Sequence, residues 1–117
     1  MRDLGRPHPL QATVERFIAA TNAFDIDAAL ALVAPDAVID DPSTGHRFVG
    51  HAGIGDYLTR YFVGYRTVTR LLSITALEEN RTRVRVDFTG DFGHEIGLLD
   101  MTIHPRGYIL RIDADLE

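Results

Sequence analysis

The chain has 117 residues, 45% of them hydrophobic and 25% charged, and twelve basic against seventeen acidic residues leave a net charge of −5 at pH 7. That is ordinary globular composition, long enough for one domain with a modest core. The acidic balance and the lack of any basic cluster argue against a nucleic-acid or anionic-membrane partner, and the absence of cysteine removes disulfides, thiolate nucleophiles and Cys-ligated zinc.

In chain order, the opening MRDLGRPHPLQATVE lacks the apolar stretch of a signal peptide, and no apolar run approaches the ~20 residues of a membrane span. A cytoplasmic protein is the expectation. Residues 1–9, with Gly5, Pro7 and Pro9, read as a flexible arm ahead of a single domain over residues 10–117. From Leu10, the apolar positions Leu10, Val14, Phe17, Ile18 and Thr21 follow the spacing i, i+4, i+7, i+8, i+11, which predicts an amphipathic helix to about Ala23. Asp25 is placed to cap a second short helix, Ile26–Val33, that Pro35 ends.

A strand is predicted over Ala37–Asp41. In extended backbone Ala37, Ile39 and Asp41 share one face while Val38 and Asp40 share the other, and Pro42 biases Asp41 toward that conformation. Residues 42–51 read as loop and Ala52–Phe62 as a third helix, with Ile54, Tyr57, Leu58, Tyr61 and Phe62 on one face. Strands are then predicted over Thr67–Leu77, Arg83–Phe92, Ile96–His104 and Tyr108–Leu116. The clearest alternates Val84, Val86 and Phe88 with Arg83, Arg85 and Asp87, and the doubled Leu71-Leu72 predicts a bulge. Helices first and an antiparallel meander after predict an α+β domain, a curved sheet with helices over one face.

This arrangement resembles the nuclear transport factor 2-like superfamily, and within it the ketosteroid isomerase and SnoaL-like branch. The resemblance rests on Arg16-Phe-Ile, Phe24-Asp-Ile-Asp-Ala, Ala34-Pro-Asp-Ala-Val-Ile-Asp-Asp-Pro42, Gly50-His-Ala-Gly-Ile54 and Leu98-Leu-Asp-Met-Thr-Ile103, and runs from about Val14 to Leu116. It implies a cone-shaped, mainly antiparallel sheet with three N-terminal helices over its concave face and one deep pocket between them. It places Asp41 where the isomerases keep a general base and Asp100 where they keep a protonated acid that donates to an oxyanion. Their oxyanion tyrosine falls on Phe17, which has no hydroxyl to donate.

The residues themselves leave alternatives open. Asp before proline, followed by Ser43, Thr44 and Gly45, is also common turn chemistry. Asp100 shares parity with Ile96, Leu98 and Thr102, whereas Leu99, Met101 and Ile103 make the other face of the strand apolar as well. An unpaired acid on an apolar face is costly if ionised, so Asp100 is paired, protonated or outward. Tyr57 and Tyr61 are either core residues with hydroxyls at the rim or a replacement for the donor lost at Phe17.

The expected pocket walls are Phe17 and Thr21 from the first helix, Ile39 from the first strand, and Tyr57, Leu58 and Tyr61 from the third helix. From the meander they are Val84, Val86, Phe88, Ile96, Leu98, Ile112 and Leu116. Such a lining suits a hydrophobic small molecule. His46, His51, His94 and His104 are scattered without metal-ligand spacing, so no metal is expected, and no other cofactor either.

The leading functional expectation is a small cofactor-free enzyme, an isomerase or polyketide cyclase, acting on a hydrophobic carbonyl compound with Asp41 and Asp100 as its acid–base pair. A non-catalytic ligand-binding or association domain is the alternative. Epoxide hydrolysis is third, because those enzymes carry an arginine where this chain has Leu98. A homodimer through the convex sheet face, bearing Arg83, Arg85, Asp87, Arg111, Asp113 and Asp115, is also expected.

Overall fold

Five apolar or small side chains on one stripe make the first helix a covering element for a sheet. In the computed structural model, which describes residues 9–117, α1 runs Pro9–Asn22 and buries Leu10, Val14, Phe17, Ile18 and Thr21. The arm expected over residues 1–9 lies outside the described residues except for Pro9. Asp25 caps α2, Ile26–Leu30, by accepting a hydrogen bond from the Ala28 amide at 3.0 Å.

The second helix is shorter than expected. Val33 opens strand β1, Val33–Asp41, because Val33 and Ala34 are buried and Val33 pairs with Ile109 of the last strand. Pro35 cannot donate to a ladder. The pairing therefore lapses over residues 34–37, which stand opposite Leu110 alone, and resumes at Val38 beside Arg111.

The stretch that reads as loop contains β2, His46–Val49. A 3₁₀ turn over Pro42–Thr44 and Gly45 at φ +75° reverse the chain, a left-handed conformation that glycine adopts without steric cost. Phe48 then folds back beside Ile39, and Arg47 beside Asp40. A four-residue strand with a local partner is too short for alternation to reveal.

Helix α3 spans Gly50–Leu58 and widens into a π turn over Thr59–Val63, closed by the i→i+5 bond from Gly64 N to Thr59 O at 2.8 Å.

The remaining strands are β3 (Val68–Glu78), β4 (Arg81–Gly90), β5 (Gly93–Ile103) and β6 (Ile109–Leu116). They complete a curved six-stranded sheet in the order β2-β1-β6-β5-β4-β3. Every neighbouring pair is antiparallel except β1 with β6. Leu72 is the extra residue of a bulge, since Leu71 stands opposite Val86 and Ser73 opposite Arg85. The architecture is α+β.

The sheet has one apolar and one charged face. Val84 lies opposite Leu99, and Ile112 is flanked by Ile39 and Met101. All of these are buried, together with Val14 and Phe17 of α1 and Ile54 and Leu58 of α3. Each such side chain contributes about 1.5–3 kcal/mol when removed from water, so the face that meets the helices is not exchangeable with the arginine-bearing one.

Asn22 locks α1 to the sheet edge. Its Nδ2 donates to Thr69 O at 2.9 Å, and its Oδ1 accepts from Thr69 N at 2.7 Å, so one side-chain amide stands in for a neighbouring strand. Asn22→Ala leaves a partly buried N–H and C=O without partners. It is expected to lower the unfolding free energy by about 1–3 kcal/mol in a denaturant titration, and an unchanged midpoint would contradict this role.

Candidate functional site

The alternation of β1 sorts two adjacent acids. Ala37, Ile39 and Asp41 are buried on the inner face. Asp40 turns to the outer face, where Arg111 and Arg47 approach its Oδ2 at 3.3 and 3.4 Å. Asp41 does turn chemistry and lines a cavity at once. Its Oδ1 accepts from the Ser43 amide at 3.1 Å and from Ser43 Oγ at 2.7 Å, capping the 3₁₀ turn. Its Oδ2 accepts from Tyr57 Oη at 2.7 Å. The carboxylate is thus oriented by three neutral donors on two elements, and only 8% of the residue is exposed.

Tyr57 sits on α3 directly over Asp41. Burial first, then the charge of Asp41, the hydrogen bond to it and neighbouring Tyr61, push its hydroxyl well above the ordinary value of 10.0. It therefore remains a neutral donor. Tyr57, Tyr61 and Tyr65 recur every fourth residue, and the wide π turn carries all three to the same cavity. Thr67 Oγ1 fixes that turn by donating to Tyr61 O at 2.7 Å.

The rings interlock, with Phe48–Tyr57 centroids 4.9 Å apart and Tyr57–Tyr61 5.2 Å apart. Phe62 meets Phe88 edge-on at 6.0 Å, and Tyr65 meets Phe92 edge-on at 6.1 Å. Gly97 makes room for Phe88, because a Cβ there would lie 2.5 Å from the ring. The result is a cavity of about 430 Å³ whose aromatic walls carry a few polar groups, Asp41, Ser43, Thr44, Thr67 and Glu95. Tyr61 lines it, and its hydroxyl has no hydrogen-bond partner among the described residues.

Of the expected wall residues, Tyr57, Tyr61, Phe88 and Leu116 line this cavity. Phe17, Thr21, Ile39, Leu58, Val84, Val86 and Ile112 are at most 4% exposed and form the packed core behind it.

Three expectations are corrected. Asp100, Ile96 and Leu98 lie on the outer face, because the β4–β5 ladder sets Asp100 opposite Arg83, Leu98 opposite Arg85 and Ile96 opposite Asp87. The inward set of β5 is Gly97, Leu99, Met101 and Ile103. Arg83 grips Asp100 with both arms of its guanidinium, Nε to Oδ1 at 2.8 Å and Nη2 to Oδ2 at 2.9 Å, with Arg81 at 3.7 Å. The Arg83 hydrogen bonds, opposed by partial burial and aided by the charges of Arg83 and Arg81, hold this carboxyl below its usual range. It is an ion-paired acid that lines a separate hollow on the outer face together with Asp40, Asp113 and Asp115, and it is not among the residues lining the cavity.

Sequence reasoning left out Ser43, Thr44, Phe62, Tyr65, Thr67, Phe92 and Glu95 as lining residues. Tyr65 continues the four-residue spacing of Tyr57 and Tyr61, and Glu95 shares the inward parity of Gly97 and Leu99; both signals were present. Among the described residues no group of three or more His, Asp or Glu is placed to hold a metal ion. No helix there is long and apolar enough to cross a membrane.

The chain belongs to the SnoaL-like domain family, whose model matches residues 14–110, and its fold is that of the nuclear transport factor 2-like proteins. A candidate polyketide cyclase from Sinorhizobium meliloti is 24% identical with a TM-score of 0.81, the match covering 98% of this chain and all of that one. A candidate ketosteroid isomerase from Kribbella flavida is 17% identical (TM-score 0.80), covering 93% of this chain and 78% of that one. The Mycobacterium tuberculosis protein Rv0760c, solved in complex with estradiol-17β-hemisuccinate, is 16% identical (TM-score 0.78), with 92% and 93% covered. At these identities the likeness carries the fold alone.

The proton that Tyr57 retains has a consequence for stability. Above pH 10.0 an unfolded tyrosine sheds its proton while folded Tyr57 keeps its own, so the unfolded chain binds fewer protons. Stability is full below that pH and falls as pH rises beyond it. Denaturant titrations at about pH 9 and about pH 11 are expected to show a steeper loss for the wild type than for Tyr57→Phe. Equal losses would contradict the buried, neutral state of Tyr57.

Proposed function

We propose that this protein is a small enzyme that works without a cofactor, binds a hydrophobic carbonyl compound in the aromatic cavity and moves a proton with Asp41 as general base. The observation that carries the reading is the Asp41 carboxylate, oriented by Tyr57 and Ser43 at the wall of an otherwise largely aromatic cavity. A carboxylate fixed there is positioned to take the proton from a carbon next to a bound carbonyl. The electron pair left behind forms an enolate, whose oxygen needs a donor. Asp100 is on the wrong face for that role, and the partnerless Tyr61 hydroxyl is the donor we assign to it. Return of the proton to a different carbon completes an isomerisation. Attack of the enolate on a second carbonyl, with Asp41 protonating the new alkoxide, completes a ring closure.

A binding-only role has one observation in its favour. Phe17 lacks a hydroxyl and Asp100 is turned away, so neither of the two expected oxyanion donors faces the cavity.

The two readings separate in one assay, hydrogen–deuterium exchange at the α-carbon of polycyclic ketones in heavy water, followed by NMR. Wild-type protein is expected to accelerate exchange, Asp41→Asn to lose at least on the order of 100-fold, and both to bind a phenolic enolate mimic with similar affinity. Asp100→Asn is expected to keep the rate and to cost less than about 1 kcal/mol of stability at neutral pH. Full activity in Asp41→Asn would overturn the assignment, and mimic binding without exchange by the wild type would favour the binding-only role.

The proposal includes a homodimer through the outer sheet face. Arg83, Arg85, Asp87, Arg111, Asp113 and Asp115 give that face interspersed charges of both signs, which a two-fold axis can set in complementary register. Sedimentation at micromolar concentration is expected to give twice the 13.0 kDa of one chain. A species of 13.0 kDa would contradict it.

A further inference from the structure

The two faces of the sheet treat their acids differently. On the outer face Asp40 is met by Arg111, Asp87 by Arg70, Asp100 by Arg83 and Asp113 by Arg111. The cavity side has no such compensation. Asp41 and Glu95 both line it, and no arginine or histidine is among its described lining residues. The chain contains no lysine to supply a positive charge. Neutral groups alone donate to Asp41. Glu95 lies opposite Phe88 in the β4–β5 ladder and has no hydrogen-bond or ion-pair partner among the described residues. Six aromatic residues complete the wall, and two of them, Tyr65 and Phe92, are 45% and 41% exposed.

Such a cavity has a sign. Asp41 in the buried wall and Glu95 at the exposed rim put negative charge beside the space a ligand must enter, and aromatic faces attract cations through their quadrupoles. We propose that the cavity selects hydrophobic ligands bearing an ammonium group, held by Glu95 and the rings of Tyr65 and Phe92, and rejects the corresponding carboxylates. This rests on the carbonyl-binding reading above and narrows it to amino-carbonyl compounds. The apolar body lies against Phe62 and Phe88, and the carbonyl end is offered to Asp41. Glu95 is then a specificity residue, outside the proton-transfer chemistry.

Three ligands sharing one polycyclic body test this: pyrenemethylamine, pyrenemethanol and pyrenecarboxylate, titrated by calorimetry at pH 7 into the full chain. The amine is expected to bind on the order of tenfold more tightly than the alcohol, and the carboxylate most weakly. Glu95→Gln is expected to erase most of the amine's advantage while leaving the alcohol's affinity unchanged. Glu79→Gln, at an acid in the β3–β4 turn away from the cavity, is expected to leave the advantage intact. A carboxylate that binds as tightly as the amine would overturn the inference, as would an amine preference that survives Glu95→Gln or falls equally with Glu79→Gln.

Failure of the inference and failure of the underlying reading have different signatures. Binding of the alcohol with no preference for the amine removes the inference alone. Amine binding without α-carbon exchange of any ketone by the wild type removes the enzymatic reading and keeps the cation site. Binding of none of the three removes both.

Discussion

The hydrogen bond from Tyr57 to Asp41 joins the helical layer to the sheet where a polar group interrupts the apolar face of β1. Several features depend on it. Asp41 is nearly buried, and a charge in that position needs donors to replace water; Ser43 supplies two and Tyr57 the third. Tyr57 in turn needs an acceptor for a buried hydroxyl, and the sheet offers one. This mutual requirement fixes the height of α3 over β1. The π turn that follows can then direct Tyr61 and Tyr65 into the cavity, where a continued α-helix would carry them progressively around its axis.

A second constraint is the division of charge across the sheet. β4 alternates Arg83 and Arg85 with Val84 and Val86, so its pleat alone puts the guanidinium groups on the solvent side. Asp40 of β1, Asp100 of β5 and Asp113 of β6 share this side and find arginine partners within it, whereas Asp115, among the described residues, accepts only from the Leu116 amide. Among the described residues no arginine lines the cavity, so Asp41 and Glu95 stand there without a basic partner. The same pleat that builds the core thus gives the site its electrical character, and both properties follow from strand register.

Much of this was legible in the sequence and some was not, for identifiable reasons. The helical spacing from Leu10 to Thr21 and the alternation of β4 and β6 were clear because one face was apolar and the other polar. The inward turn of Asp41 followed from Ala37 and Ile39. In β5 both faces are apolar, so alternation could not orient Asp100, Ile96 or Leu98, and register had to decide. The register was recoverable in principle: a two-residue turn at Asp91–Phe92 puts Gly90 opposite Gly93 and, counting back, Arg83 opposite Asp100. Placing the turn later hid that pairing. Periodicity also assigns a face without assigning depth, which is why Val84 and Val86 are core while Phe88, on the same face and nearer the strand end, walls the cavity. Val33 was missed because its long-range pairing with Ile109 overrode the local pattern, and β2 because four residues are too few for alternation to show.

A ligand-bound crystal structure with a naphthol-type enolate mimic tests the central claim most directly. The account predicts the ring system between Tyr61, Phe62 and Phe88, its oxygen about 2.6–3.2 Å from the Tyr61 hydroxyl, and the ring edge against Asp41. Density for the mimic on the outer face near Asp100, with the aromatic cavity left unfilled, would contradict it.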